Sequence, residues 1–156
     1  MSTPSAPDPE FVRDHFPGLM AKLSRLWRRA IDAELQPMGL TEATWLPLLH
    51  IGRAKESLRQ KDLAQTLGLD NSSVVRILRS LEAADYVERQ EGGSDRRAKT
   101  LTLTPAGKAI VVKVERVIGA ARRQWLADID DADLATAFTV VTRLTDVISG
   151  AVENKP

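Results

Sequence analysis

A change of period near the middle of the chain constrains its fold more than any other feature. L58-R-Q-K-D-L-A-Q-T-L-G-L69 has the spacing of a short helix and stops at Gly68, where the missing side chain permits the left-handed backbone of a helix end. Asp70 or Asn71 offers the next cap, and S72-S-V-V-R-I-L-R-S-L-E82 follows as a second helix. After Tyr86 the pattern becomes alternating. V-E-R-Q leads into a Gly92-Gly93 loop tipped with Ser94-Asp95-Arg96-Arg97, and K-T-L-T-L-T leads out, which predicts a two-stranded hairpin.

The flanks are helical. Leu19, Leu23, Leu26, Trp27, Ala30, Ile31 and Leu35 follow one helix face, ended by Pro37 and Gly39. Thr41 is placed to cap a helix carrying Trp45, Leu48, Leu49 and Ile51, in which Pro47 removes a backbone donor and predicts a bend or a delayed start. Thr104-Pro105 predicts a cap with proline at the first helical position, opening a long helix striped by Ile110, Val114, Val117, Ile118, Ala121 and Trp125. A last helix from about Asp131 carries Leu134, Phe138, Val141, Leu144, Thr145 and Ile148. Residues 1–9, with three prolines, predict a disordered lead-in. The expected fold is mainly α with a small β-hairpin wing, a winged helix-turn-helix over 38–104 flanked by helices in 10–37 and 105–150, all in one structural domain. The first, fifth and sixth helices carry more apolar surface than a small winged domain needs to cover. Burial against a second copy is expected, with packing inside one chain the alternative.

Composition excludes several classes. The 156 residues suit one domain, and 43% hydrophobic with 28% charged residues is ordinary for a soluble protein. No apolar run reaches the roughly 18 residues of a membrane helix and the amino terminus lacks a secretion pattern, so a cytoplasmic protein is expected. Without cysteine there is no disulfide, thiolate metal site or thiol redox sensor. His15 and His50 lack ligand spacing, so no metal or other cofactor is expected. No nucleophile–base pair, phosphate-cradling loop or carboxylate cluster suggests an enzyme. Net charge is +1, and residues 58–100 hold eight Lys/Arg against seven Asp/Glu, so a case for nucleic acid rests on where single arginines stand.

Those positions are informative. On the second helix of the pair, Val74, Leu78 and Leu81 share one face while Ser72, Ser73, Arg76, Arg79 and Ser80 share the other. A slim face of hydroxyls and arginine fits a DNA major groove, with Arg76 the candidate for reading a base edge and Arg79 and Arg89 for phosphates. The hairpin tip offers Arg96 and Arg97 to the adjacent minor groove, with Asp95 orienting an arginine or bonding loop backbone.

L63-A-Q-T-L-G-L-D-N-S-S-V-V-R-I-L-R-S-L-E82, with S94-D-R-R-A-K99 and L101-T-L-T-P-A-G107, resembles the MarR family of transcriptional regulators. L23-S-R-L-W-R-R-A-I-D32, L40-T-E-A-T-W45 and V74-V-R-I-L78 are similar to its SlyA-like branch. The resemblance implies a homodimer held by terminal helices, each subunit offering a recognition helix with Ser73 and Arg76 and a wing with Asp95, Arg96 and Arg97 to a pseudo-palindromic site, usually as a repressor. Arg59 departs from it, since serine or threonine is usual at that helix start, as does Pro47. The resemblance also implies a small aromatic carboxylate ligand, for which Trp27, Trp45 and His50 are candidate lining residues and Arg25 or Arg28 candidate partners. Competing readings are a helical protein-interaction module and a DNA-binding protein that answers to no ligand.

Overall fold

The computed structural model describes residues 8–55, 58–91 and 99–153. In chain order the elements are α1 (Pro9–Leu35), a 3-10 turn (Gln36–Met38), α2 (Glu42–Arg53), β1 (Leu58–Arg59), α3 (Gln60–Leu67), α4 (Asn71–Ala83), β2 (Val87–Glu91), β3 (Lys99–Leu103), α5 (Pro105–Trp125) and α6 (Asp131–Glu153). The chain forms two compact units, Met1–Gly119 and Ala120–Pro156.

In the first unit, Leu48, Ile51, Leu63, Ala64, Val74, Leu78, Leu81, Val87 and Leu101 form one buried cluster. It draws side chains from α2, α3, α4, β2 and β3, so the helix pair and the sheet are held by shared apolar burial. The strands form a three-stranded antiparallel sheet in the order β1-β3-β2, with Leu58 opposite Leu101 and Arg89 opposite the same residue on the other side. The mainly helical fold with a small antiparallel sheet agrees with the sequence reading; the third strand is an addition to it. Leu58 and Arg59 belong to that strand and not to the following helix, because they pair with β3 before the backbone turns helical at Gln60.

Two local expectations need correction, and a third holds by position without the side-chain bond. First, α1 begins at Pro9, one residue inside the expected lead-in, with Asp8 accepting from the Glu10 amide at 3.4 Å and proline in the first turn. Asp8 and Pro9 therefore belong to the helix start, and the rest of the predicted lead-in, residues 1–7, lies outside the described residues. Second, α2 begins at Glu42 and is assigned as one helix through Pro47, whose ring is buried, so its start is not delayed. Third, Thr41 holds the cap position of α2 through its carbonyl, which accepts from Thr44 and Trp45 at 2.8 and 2.9 Å, while its hydroxyl lies 3.2 Å from that of Thr44.

Two junctions fix the winged part. Gly68 ends α3 with φ +63°, its amide donating to Ala64 and Gln65 carbonyls. Thr104 is buried, and its hydroxyl donates to the Asp85 carbonyl at 2.5 Å while accepting from the Gly107 amide at 3.0 Å. A Cβ on Gly107 would stand 2.0 Å from the Tyr86 carbonyl oxygen, so only glycine lets α5 start against the strand entering the hairpin. Thr104, Pro105 and Gly107 thus lock the return strand, the α4–β2 turn and the start of α5 together.

In the second unit, the Asp130 carboxylate accepts from the Ala132 amide at 2.8 Å and opens α6. Phe138 and Ile148 are 73% and 59% exposed, and Leu134 and Val141 are exposed on the same stripe. The Thr145 hydroxyl donates to the Val141 carbonyl at 2.9 Å, which leaves its methyl as the group offered outward.

Candidate nucleic-acid interface

The start of α4 is organised by one carboxylate. Asp70 Oδ1 accepts from the Ser73 amide at 2.9 Å and from the Ser72 hydroxyl, and Oδ2 accepts from the Ser73 hydroxyl at 2.6 Å. The Ser72 and Ser73 hydroxyls, followed by the Ser73 amide, hold the Asp70 carboxyl well below the usual carboxylate range, so it is charged at neutral pH. A hydroxyl has one proton and two lone pairs; both serines direct that proton to Asp70 and present lone pairs elsewhere. Their remaining capacity is to accept. In a major groove the groups that donate are the amino groups of adenine and cytosine.

Arg76 stands one turn on, exposed, with Nη2 3.5 Å from Ser73 Oγ. Ser80 donates back to the Arg76 carbonyl at 3.3 Å, and Arg79 is exposed on the same side. The opposite side of the helix carries Val74, Leu78 and Leu81, all buried. The structure therefore brings Ser72, Ser73, Arg76 and Arg79 onto one outward face. Arg89 is set apart from them: its side chain is 18% exposed, with Nε 2.8 Å from Glu82 Oε1 and Nη1 donating to Gln60 Oε1 at 3.3 Å. Asp95, Arg96 and Arg97 lie outside the described residues; the last pair of β2 and β3 before them is Glu91–Lys99. Asp70 was legible as a cap in the sequence, but its hold on both serine hydroxyls needs the fold.

Beside this face lies a cavity of about 540 Å³, a size suited to a small ligand. Arg28 of α1, Glu42 and Pro47 of α2, Leu69, and Ser73, Arg76 and Ile77 of α4 line it. Arg28 pairs with Glu42 at 3.1 Å, both side chains remaining more than 40% exposed. Of the aromatic and basic residues singled out from the sequence, Arg28 is in this lining. Trp45 is buried and its indole N–H donates to Asp32 at 3.2 Å, joining α2 to α1. Trp27 and His50 are half-buried and Arg25 is exposed, none of them in the described lining. Among the described residues no group of three or more His, Asp or Glu is placed to hold a metal, and no helix is long and apolar enough to cross a membrane.

A family model described as the MarR family matches residues 38–98. The crystal structure of the transcriptional regulator PA3341 is 34% identical, with a TM-score of 0.82 over 86% of this chain and 98% of that one. The chain belongs to the MarR family. CouR from Rhodococcus jostii RHA1, solved bound to p-coumaroyl-CoA, is 25% identical with a TM-score of 0.71 over 93% of this chain and 96% of its own. The S. aureus MepR–DNA complex shares the MarR fold at 19% identity, with a TM-score of 0.73 over 85% and 97%. Within this MarR-family chain the matched residues run from the 3-10 turn before α2 to the hairpin, so they hold the whole α4 face described above.

Proposed function

We propose that the chain is a sequence-specific regulator of transcription, a repressor that binds double-stranded DNA as a homodimer on a pseudo-palindromic site. The observation that carries this reading is the outward face of α4, where Asp70 sets the hydroxyls of Ser72 and Ser73 beside Arg76, opposite the buried Val74, Leu78 and Leu81. α4 enters the major groove, Arg76 reads a base edge, Arg79 meets phosphate and Arg96 and Arg97 reach the minor groove. That MepR was solved on DNA supports this use of the fold. Dimerisation through the terminal helices is supported by the exposed apolar side chains of α1, among them Leu19, Leu23 and Leu26, and of α6.

The finer part of the proposal is release by a small aromatic acid. The cavity beside α4 offers Arg28 and Arg76 to a carboxylate over an apolar lining, and a ligand-bound CouR supports a MarR-family protein taking an aromatic acyl group. Since Arg76 belongs both to the cavity and to the reading face, a ligand holding it would favour the DNA-free state.

The test is retention of fragmented genomic DNA by purified protein, followed by sequencing. Enrichment of a near-palindromic site is expected, and even recovery across the genome would overturn the proposal. With the site in hand, Arg76→Ala should cost about 1–3 kcal/mol and relax one position in each half.

A further inference from the structure

Arg89 stands on the inward face of its strand. Along β2 the side chains alternate, with Val87 buried, Glu88 exposed, Arg89 half-buried and Gln90 exposed. Arg89 therefore shares the inward face of the sheet with Val87, which belongs to the core cluster. There it meets two helices at once. Its Nε lies 2.8 Å from Glu82 Oε1 near the carboxyl end of α4, outside hydrogen-bond geometry, and its Nη1 donates to Gln60 Oε1 at the first residue of α3. The two helices of the helix-turn-helix and the first strand of the wing thus converge on one guanidinium. A planar group with donors in fixed directions suits such a junction, where a lysine ammonium would offer a point charge alone.

We infer that Arg89 is a positioning residue that sets the wing against the recognition helix and does not itself touch DNA. The inference rests on the regulator reading above, since it concerns how two DNA-contacting elements are held in register. If α4 and the wing are to reach neighbouring grooves together, their relative placement is part of the affinity. Glu82 neutralises Arg89 from inside, so the arginine adds no free cation to the DNA-facing charge.

The test compares wild type, Arg89→Ala, Arg89→Lys, Glu82→Ala and the Glu82→Ala/Arg89→Ala double variant on a genomically selected fragment, across a salt series. Arg97→Ala serves as a reference for loss of a DNA-contacting cation. Arg89→Ala and Glu82→Ala should each weaken binding by roughly three- to tenfold, and the double variant should be no weaker than either alone. Arg89→Lys should recover only part of the loss, and the salt slope should stay at the wild-type value. An Arg89→Ala slope lowered by about one unit, with Glu82→Ala binding as well as wild type or better, would make Arg89 a phosphate contact and overturn the inference. Lower melting temperatures with unchanged DNA affinity would overturn it too, by reducing Arg89 to a stability element. If wild type itself selects no DNA, the regulator reading fails, and the inference with it; in the other two cases only the inference fails.

Discussion

A half-buried imidazole beside a guanidinium has a definite acid dependence. His50, on α2, has its pKa pushed down, first by burial and then by the neighbouring Arg53, which is itself held by Glu115 at 2.7 and 2.9 Å. The folded state therefore resists protonating His50 while the unfolded chain accepts the proton near the ordinary histidine value of about 6.5. Above that value both states carry neutral imidazole and the full contribution to stability is present. As pH falls the unfolded state takes up the proton first, and stability is lost until the folded pKa is passed. Urea unfolding midpoints should fall between about pH 7 and about pH 5 in wild type, and His50→Gln should flatten that part of the curve. An equal slope in the variant would show that the acid dependence arises elsewhere.

Among the elements, α3 is the one whose start departs from the usual chemistry. Arg59 occupies its cap position with an extended backbone, φ −84° and ψ 151°, and supplies no side-chain cap bond. Arg59→Ser keeps that backbone and adds an oxygen for the free amides of the first turn, so it should raise unfolding stability by about 0.5–1 kcal/mol in chemical denaturation. A loss would mean that the arginine side chain itself supports β1. The departure at Arg59 was visible in the sequence, but its cause was not, because two residues are too short for a period and β1 is specified by its pairing with Thr100 and Leu101 some forty residues on. Where a signal was local the sequence was sufficient. Gly68, the split between Val74, Leu78, Leu81 and the serine–arginine side of α4, and Thr104-Pro105 each fix a junction by themselves. Arg89 was not legible, since V-E-R-Q shows one apolar residue in four, and a charged side chain turned inward looks like one turned outward until Glu82 and Gln60 are placed beside it. The cavity was equally hidden, because Leu69 and Ile77 join Arg28 only through the packing of α1, α2 and α4.

At the scale of the whole molecule, the proposal requires two copies. A single α4 reaches one half-site, and the affinity of a pseudo-palindromic site comes from coupling two such contacts in one particle. The α6 stripe, with Phe138 73% exposed and Ile148 and Val152 59% and 68% exposed, is more apolar surface than a lone helix usually leaves to water. Phe138→Lys places a charge in that stripe, in the second unit, and leaves the sequence of the first unit, where α4 lies, unchanged. Sedimentation should show wild type as a dimer and Phe138→Lys shifted toward monomer, with an unchanged melting profile for the winged part. Affinity for the full site should drop by roughly a hundredfold or more, while affinity for an isolated half-site should stay the same, because only the effective concentration of the second copy has been removed. A variant that remains dimeric and binds the full site as wild type does would place the contact between subunits on a different surface.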